Sequence, residues 1–307
     1  MRSTLPATND ANPPLDAFEQ ARPVLLGLAY RLLGSHADAE DAVQDTYLKW
    51  RASARDEIRS PAAWLSTACT RRCLDLLRNA HRARVSYVGT WLPEPLQVAD
   101  EPDPAAEAEL ASSLGTAFLL LLERLTPKER AAYLLHEIFD LDHAAVAGTL
   151  GVGEAASRQL VTRARRHVDE ARVRTTTPAE QQARLLAAFE TAIRHGRTDP
   201  LAALLADDVR LAADGGGKVA AVRRVFDGPA DVLEVIARGL HVWLHESVLE
   251  RAIINGRLGL LVRSPVGGGL DSVVSFDYDE RHALRGIYIM RNPDKLRRVD
   301  AAPVRIR

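Results

Sequence analysis

The chain has 307 residues, of which 47% are hydrophobic and 26% charged, and its formal net charge at pH 7 is −1. This length suits two or three domains with buried cores. Because the sequence shows no signal peptide and no apolar run long enough to span a membrane, we expect a cytoplasmic protein without a membrane partner. The small net charge hides a local excess of arginine, since segment 59–84 carries six arginines and one acidic residue, Asp75.

Cysteine usage gives no sign of a metal site or a redox pair. The two cysteines, Cys69 and Cys73, lie one helical turn apart on a predicted helix. A zinc site needs further ligands, and the nearby sequence offers only His81. The pattern favours packing of both thiols in a core, and we expect neither a metal nor another cofactor.

Residues 1–14 are polar, lack periodicity and are predicted to be a disordered leader. Residues 15–84 form a first helical domain. Its first helix ends at Gly34, Ser35 caps a second helix, and a third helix starts at Ser60-Pro61.

The second and third helices of this domain carry opposite charges. In the second, Asp38, Asp41, Asp45 and Leu48 share a predicted exposed stripe. Its spacing fits a solvated face and a docking surface for a partner protein equally well.

The third helix is basic and projects Arg71, Arg72 and Arg78 away from its buried side. Together with the preceding loop, 52–59, it can supply the positive surface and the pocket that unstacked DNA bases need. Trp64 fits core packing better than contact with a base, because Leu65 and Ala68 share its spacing.

Residues 85–104 interrupt the helical pattern with prolines and acidic residues and are predicted to be a linker. The centre of this linker, YVGTWLP at 87–93, is apolar, whereas a flexible tether is normally polar. We therefore expect this segment to dock on another part of the molecule.

Residues 105–173 are helical again, and 125–168 has the pattern of a helix-turn-helix with its own support helix. Thr126, Pro127 and Glu129 predict the capped start of the support helix. Asp142 caps the next, short helix, and Gly151 supplies the left-handed residue of the corner.

The last helix of this segment is loaded with arginine. Its buried stripe is Ser157, Val161, Ala164 and Val168, which leaves the arginines on the other faces. A charge run alone is usually a solvated face, but the corner glycine and the two capped helices before it favour binding in a DNA major groove.

Residues 177–307 combine helices and strands and predict an α+β domain with a curved sheet of antiparallel strands. Its amphipathic helices are 182–196 and 228–240. The strand-like runs are 209–213, 218–226, 247–256, 257–265, 271–280 and 282–292.

These motifs resemble the extracytoplasmic-function (ECF) sigma factors of RNA polymerase. AEDAVQDTYLKW at 39–50 and SPAAWLSTACTRRCLDLLR at 60–78 resemble sigma region 2, and residues 105–170 resemble region 4. YVGTWLPEPL at 87–96, DGGGKV at 214–219 and NPDKL at 292–296 resemble the sigma-J type subgroup. The resemblance implies two all-α sigma domains followed by a SnoaL-like (NTF2-like) α+β cone.

The resemblance implies a function in promoter-specific transcription initiation, with core RNA polymerase and promoter DNA as partners. The chain would dock on the β′ clamp and the β flap. Residues implied to bind the β′ clamp helices are Asp41, Gln44, Asp45 and Leu48. Residues implied to serve the −10 element are Arg71, Arg72, Asp75 and Arg78, with loop 52–59.

The −35 element would be read by the last helix of region 4. Residues implied to read its bases are Glu154, Arg158, Gln159 and Thr162, while Arg163, Arg165 and Arg166 favour phosphates. Gly153 stands where the family commonly has a Ser or Thr cap; glycine is only slightly poorer there, so the helix start should survive.

Three segments of the subgroup are implied to form an interdomain, regulatory contact. They comprise Trp91, Leu92 and Pro93 of the linker; Asp214, Gly215, Gly216, Gly217 and Lys218; and Asn292, Pro293, Asp294, Lys295 and Leu296. Our hypothesis is that they set the spacing of the two DNA-binding domains and tune activity without a separate anti-sigma factor.

Two other function classes compete with this interpretation. An acid–base enzyme would need a His/Asp pair inside the cone, and the candidates are His241, His245 and Asp271. Isolated histidines beside Trp243 are more often packed or solvated, so we predict no catalytic site. A stand-alone DNA-binding activator would not need the second basic domain or the acidic helix.

Overall fold

The computed structural model describes residues 13–54, 58–85, 87–97, 114–171, 177–222 and 224–299, excluding the side chains of 13–16, 79–85 and 170–171. Several expectations therefore fall outside the described residues. They concern most of the 1–14 leader, residues 98–104 of the linker, the start of the second helical domain at 105–113, and the side chain of His81.

The first helical domain consists of α1 (Pro13–Leu33), α2 (His36–Ala52) and α3 (Pro61–Val85). As predicted, Gly34 ends α1 in a left-handed conformation with φ of 66°, and the Ser35 hydroxyl caps α2 by accepting a hydrogen bond from the Asp38 amide. Cys69 and Cys73 are buried free thiols in the core of these helices.

The second helical domain contains α4 (Thr116–Leu122), α5 (Pro127–Tyr133), α6 (His143–Leu150) and α7 (Glu154–Ala171). A π-helical turn, Leu134–Ile138, continues α5. The apolar residues of the two helical domains form one buried cluster, in which Leu25 and Leu65 join Phe118, Leu134 and Val161. The two domains are therefore packed against each other.

The C-terminal domain has a six-stranded mixed sheet with helices packed against it. Its helices are α8 (Ala179–His195), α9 (Asp199–Ala202), α10 (Pro229–Val235), which a π-helical turn (Ile236–Leu240) connects to α11 (His241–Leu244), and α12 (Pro293–Leu296). Its strands are β1 (Leu205–Asp214), β2 (Phe226–Asp227), β3 (Val248–Ile254), β4 (Arg257–Arg263), β5 (Leu270–Tyr278) and β6 (Leu284–Met290).

The strand order is β2-β1-β6-β5-β4-β3. Strands β3 to β6 form the predicted antiparallel meander, whereas β1 runs parallel to β6. The order of two helical domains followed by an α+β domain is confirmed.

The predicted strand 218–226 is wrong at residues 218–222, 224 and 225, and its last residue, Phe226, lies in a strand. The Gly215 carbonyl accepts hydrogen bonds from the amides of Lys218 (3.0 Å) and Val219 (3.3 Å), so the chain turns back directly after β1. Val219 and Val225 are exposed, and β2 pairs with β1 at only two positions, Arg210↔Asp227 and Leu211↔Phe226. Apolar residues suggested a strand, but the tight turn leaves most of them without a sheet neighbour.

The two faces of the sheet have different neighbours. On the inner face, Leu211 and Phe276 pack under α8 and α10, and the Phe189 and Phe276 rings meet edge to face at 5.1 Å. On the outer face, Ala212 and Tyr288 pack against Leu92 of the linker, with α4 alongside. The outer face thus attaches the C-terminal domain to the helical domains. Across the described ranges, no helix is long and apolar enough to cross a membrane.

Candidate functional site

The helix-turn-helix is built from local signals in the sequence. The Thr126 hydroxyl accepts from the Glu129 amide (3.3 Å) while Glu129 Oε2 accepts from the Thr126 amide (3.1 Å), which is the predicted capping box. Asp142 Oδ1 accepts from the Ala145 amide at 2.7 Å and caps α6. Gly151 forms the corner with φ of 62°.

The arginine-rich helix α7 buries the predicted stripe and exposes the rest. Ser157, Val161, Ala164 and Val168 are at most 3% exposed. The residues expected at the −35 element all lie on exposed faces: Glu154, Arg158, Gln159, Thr162, Arg163, Arg165 and Arg166.

Two of these arginines already have carboxylate partners. Arg158 pairs with Glu154 on the same helix, and Arg165 pairs with Glu137 in the π-helical turn that follows α5. Both are surface ion pairs, which contribute little to stability, so phosphate oxygens can replace the carboxylates at small cost. The arginine side chains of this α7 face therefore remain accessible at the surface.

On α2, the structure exposes most of the residues expected to bind polymerase. Asp41, Gln44 and Leu48 point outward, and Leu48 is 51% exposed. Asp45 differs, because it accepts a 2.6 Å hydrogen bond from Arg72 Nε of α3. Asp45, which is implied to bind polymerase, thus forms an ion pair with Arg72, which is implied to serve the −10 element.

On α3, Arg71 makes a contact that the sequence did not suggest. Its Nε donates to the Thr149 carbonyl (3.0 Å) and its Nη2 to the Gly148 carbonyl (2.9 Å), at the C-terminal end of α6. The Thr67 and Thr149 hydroxyls lie 3.1 Å apart beside it. A cation is favoured at a helix C-terminus, where carbonyls lack partners. Arg71 therefore fastens the first helical domain to the helix-turn-helix.

The remaining −10 candidates on α3 stay at the surface. Arg78 and Asp75 form an exposed pair at 3.0 Å. Trp64 is half-buried with its ring 5.4 Å from that of Trp50, which agrees with the predicted core packing.

The interdomain segments named from the sequence meet at Asp214, whose side chain is fully buried at the end of β1. Its Oδ1 accepts from the Tyr87 hydroxyl (2.6 Å) and the Gly216 amide (2.9 Å). Its Oδ2 accepts from the Leu92 amide (3.0 Å) and Lys295 Nζ (2.8 Å). We call this contact of linker, β1 end and α12 the Asp214 joint.

Lys295 completes the joint from α12. Its ammonium also donates to the Leu92 carbonyl at 2.6 Å. It lies 4.5 Å from the centre of the Trp91 ring and 5.0 Å from that of Tyr87, so both aromatic faces stabilise its charge. The two charges of the Asp214–Lys295 pair are therefore compensated within a nearly closed site.

The glycines of the joint allow close packing. A Cβ on Gly216, whose φ is +63°, would lie 2.4 Å from Nδ2 of Asn292. Asn292 itself caps α12 and donates to the Tyr87 hydroxyl at 2.8 Å. A Cβ on Gly217 would lie 3.0 Å from Val88. Lys218 pairs with Asp294 at the surface of the joint.

The linker also binds the first helical domain, through Glu94, which the sequence did not single out. Its Oε2 accepts from the amides of His36 (2.7 Å) and Ala37 (3.3 Å) at the start of α2, where an anion is favoured. Its carbonyl accepts from the Tyr30 hydroxyl at 2.6 Å. Burial raises the pKa of the Glu94 carboxyl, while the amide hydrogen bonds lower it.

A second missed residue, Asn255, connects both helical domains to the sheet. Its Nδ2 donates to the Tyr30 hydroxyl (3.0 Å) and to the Leu114 carbonyl (2.9 Å), and its Oδ1 accepts from the Leu96 amide (2.8 Å). Asn255 adopts the left-handed conformation of the β3–β4 turn, with φ of 51°. In the sequence it is one asparagine of a hairpin, so its long-range role left no local sign.

The second helical domain is held by a buried carboxylate on β5. Asp277 accepts from the Ala117 amide at 2.5 Å, in the first turn of α4, and forms an ion pair with Arg257. Burial raises the pKa of Asp277 against the opposing influence of Arg257. The Thr116 and Ser275 hydroxyls lie 2.9 Å apart beside it. All of these contacts lie on the outer face of the sheet.

Comparison with known proteins assigns these domains. Residues 17–83 match the family Sigma-70 region 2, and residues 115–168 match the family Sigma-70, region 4. The ECF RNA polymerase sigma factor SigJ of Mycobacterium tuberculosis is 38% identical over 247 residues, which are 79% of this chain and 78% of SigJ. The chain belongs to the ECF RNA polymerase sigma factor family.

Two further relatives agree with this assignment. The probable ECF sigma factor SigI of Mycobacterium tuberculosis is 33% identical over 196 residues, 63% of this chain and 67% of SigI. The crystal structure of Mycobacterium tuberculosis SigJ is 32% identical and matches with a TM-score of 0.71 over 92% of this chain and 98% of that chain. The match to SigJ extends through the C-terminal domain, consistent with a SnoaL-like extension.

The candidates for catalysis in this sigma factor have structural partners. Asp271 pairs with Arg291 at 2.9 Å, and the ring nitrogens of His241 and His245 lie within hydrogen-bond distance of the Ile193 and Val242 carbonyls. The pocket lined by Leu240, Trp243 and Ile289, on the inner face, has a volume of only about 20 Å³. This volume holds one water molecule and no substrate.

Proposed function

We propose that this sigma factor binds core RNA polymerase in the cytoplasm, directs it to promoters by reading −35 and −10 elements, and helps to melt the latter. The exposed face of α7 suits the −35 major groove, and the exposed stripe of Asp41, Gln44 and Leu48 suits a polymerase surface. We further propose that the C-terminal domain regulates this activity in cis, without a separate anti-sigma factor, by keeping regions 2 and 4 together.

The observation that carries the proposal is the contact of Arg71 with the Gly148 and Thr149 carbonyls. Elements at −10 and −35 are roughly 25 base pairs, or about 85 Å, apart on B-form DNA with its rise of 3.4 Å per base pair. Regions 2 and 4 in direct contact cannot reach both elements at once. The same contact occupies Arg71, which the −10 element would need. The closed arrangement is therefore inactive, and binding to polymerase requires its opening.

The C-terminal domain is suited to control this opening, because it grips the linker between the two regions. Glu94 holds the linker on region 2, Asp277 holds α4 of region 4, and the Asp214 joint fixes the linker to the sheet. Regions 2 and 4 can separate only if some of these contacts break. The strength of the joint then sets the fraction of open, polymerase-competent molecules.

In vitro transcription with core polymerase tests the proposal. The variant is Asp214→Asn, which keeps the size of the side chain but places amide hydrogens against Lys295 or the Leu92 amide. At limiting sigma factor, we expect about fivefold or more promoter-specific RNA relative to the unchanged chain, because a loosened joint raises the open fraction. Glu190→Gln is the matched control, since Glu190 pairs with Arg251 outside the joint.

Two results would contradict the proposal, each in a different part. No promoter-specific RNA from any variant would refute the sigma function and favour a stand-alone DNA-binding protein. Equal RNA from the unchanged chain and Asp214→Asn, with an unaltered unfolding profile, would refute regulation through the joint.

A further inference from the structure

A cleft of about 520 Å³ lies between region 4 and the outer face of the sheet. Region 4 contributes Ala117, Leu120 and Leu121 of α4 and Arg124 just after it, and the linker contributes Thr90 and Leu92. The floor is formed by β1, β5 and β6. The volume lies within the range of small-molecule sites, which is about 300–1,000 Å³. This cleft is distinct from the cone interior, which helices and side chains fill.

A glycine on β6, Gly286, shapes the floor of the cleft because it carries no side chain. A Cβ on Gly286 would lie 2.6 Å from the Tyr288 hydroxyl, so the tyrosine ring lies over the glycine. Ala212 of β1, another small residue, lines the same floor. Tyr278 also lines the cleft, and its buried hydroxyl has no hydrogen-bond partner within the described parts of the chain. The floor therefore includes apolar surface from Ala212 and the Tyr288 ring.

Several charged side chains around the cleft form ion pairs, whereas one arginine has no acidic partner among the described residues. Asp208 pairs with Arg285 at 2.8 Å, and Asp277 pairs with Arg257. Arg210 pairs with Asp227 at 2.8 Å. Arg124, an exposed residue just after α4, has no acidic partner among the residues that the structure describes. Arg124 therefore leaves an excess positive charge at the rim of the cleft. This charge favours an anion beside the apolar wall formed by Leu92, Leu120 and Leu121.

We propose that this cleft binds an amphipathic carboxylate, with the carboxylate at Arg124 and the apolar body on Leu92, Leu120 and the Tyr288 ring. Because its walls come from region 4, the linker and the C-terminal domain, the complete site exists only in the closed arrangement. A ligand that binds only the closed arrangement stabilises it by mass action. This inference rests on the proposed function, in which the closed arrangement is inactive. The ligand is therefore an effector that lowers transcription.

Binding to the full-length protein tests the site directly. The probes are straight-chain carboxylates from hexanoate to dodecanoate and 2-naphthoate, measured by isothermal titration calorimetry, with decanol as the uncharged control. We expect at least one carboxylate to bind and to raise the unfolding temperature, with decanol about tenfold weaker or more. Arg124→Ala should weaken carboxylate binding about tenfold, and Ala212→Leu should abolish it by filling the floor.

Arg238→Ala is the matched control, since Arg238 is an exposed arginine remote from the cleft. It should leave carboxylate binding unchanged. Absence of binding by every probe would overturn the proposal, as would unchanged affinity in both Arg124→Ala and Ala212→Leu.

A transcription arm separates this inference from the proposed function. The carboxylate that binds should reduce promoter-specific RNA from the unchanged chain, and about tenfold more of it should be needed for the same reduction with Arg124→Ala. Binding without any effect on active transcription would overturn the effector role. An Asp214→Asn response without carboxylate binding would leave the proposed function intact and refute the ligand site.

Discussion

The helix-turn-helix and the Asp214 joint form by different kinds of contact. In the helix-turn-helix, the structural hydrogen bonds of Thr126 and Asp142 span three residues along the chain. In the joint, Asp214 contacts Tyr87 and Lys295, which are 127 and 81 residues away in sequence. The DNA-reading element can thus keep its shape when the domains separate, whereas the joint exists only while they are together. This difference allows opening without unfolding of region 4.

The largest expected effect comes from Lys295→Met, which leaves the buried Asp214 carboxylate without its cation. Removal of one partner of a buried ion pair costs about 3–5 kcal/mol. Lys218→Met is the matched control, because its pair with Asp294 is exposed and contributes less than about 0.5 kcal/mol. Urea unfolding of both variants measures the difference. Equal losses would show that the joint contributes no more than a surface pair.

The sequence predicted the helix-turn-helix in detail, because its contacts are local. The capping box at Thr126, the corner at Gly151 and the stripe from Ser157 to Val168 depend on residues within one or two turns, so their spacing is visible in the chain. Strands β3 to β6 were found by the same kind of pattern.

For the Asp214 joint, the sequence predicted which motifs take part but not how they contact one another. Resemblance singled out Asp214, Lys295 and Trp91, but no pattern gave their hydrogen bonds. Glu94 and Asn255 were missed, since a glutamate in a linker and an asparagine in a hairpin look the same whether or not they contact a distant domain. Arg71 was assigned to DNA alone because its partners are backbone carbonyls, which every residue has.

A second pair of variants compares two glycines with the same conformation. Gly151 and Gly216 have φ of +62° and +63°, and both would suffer the left-handed penalty of about 1 kcal/mol on change to alanine. A Cβ at Gly151 meets no atom within 4 Å, whereas at Gly216 it lies 2.4 Å from Asn292. We expect Gly216→Ala to cost about 1–3 kcal/mol more than Gly151→Ala in thermal unfolding. Equal costs would mean that Asn292 moves aside freely.

A smaller effect concerns pH and the contact of α2 with the chain after α12. Burial, and secondarily Arg298, lowers the pKa of His36 to about 4. The Arg298 guanidinium lies 3.4 Å from His36 Nδ1 and also pairs with Glu40. The neutral imidazole is favoured in the folded state, so this stability is present above pH 6.5 and is lost as the pH falls towards 4.

The expected loss between pH 7.5 and pH 5.5 is about 1.3 kcal/mol, relative to His36→Gln over the same range. The free energy of unfolding of both proteins at the two pH values measures it. Since the carboxyl groups of Glu94 and Asp277 are present in both proteins, their titration cancels in the comparison. A parallel pH dependence of the two proteins would rule out the buried neutral imidazole.

The most direct test of the closed arrangement is the distance between regions 2 and 4 in solution. Nitroxide labels at Gln20→Cys in α1 and Asp169→Cys in α7 occupy exposed positions, while Cys69 and Cys73 are buried. Double electron–electron resonance should give one short distance for the free protein and a much longer one with core polymerase. Asp214→Asn should already show part of the longer distance when free. A free, unchanged chain with the long distance would contradict closure by the C-terminal domain.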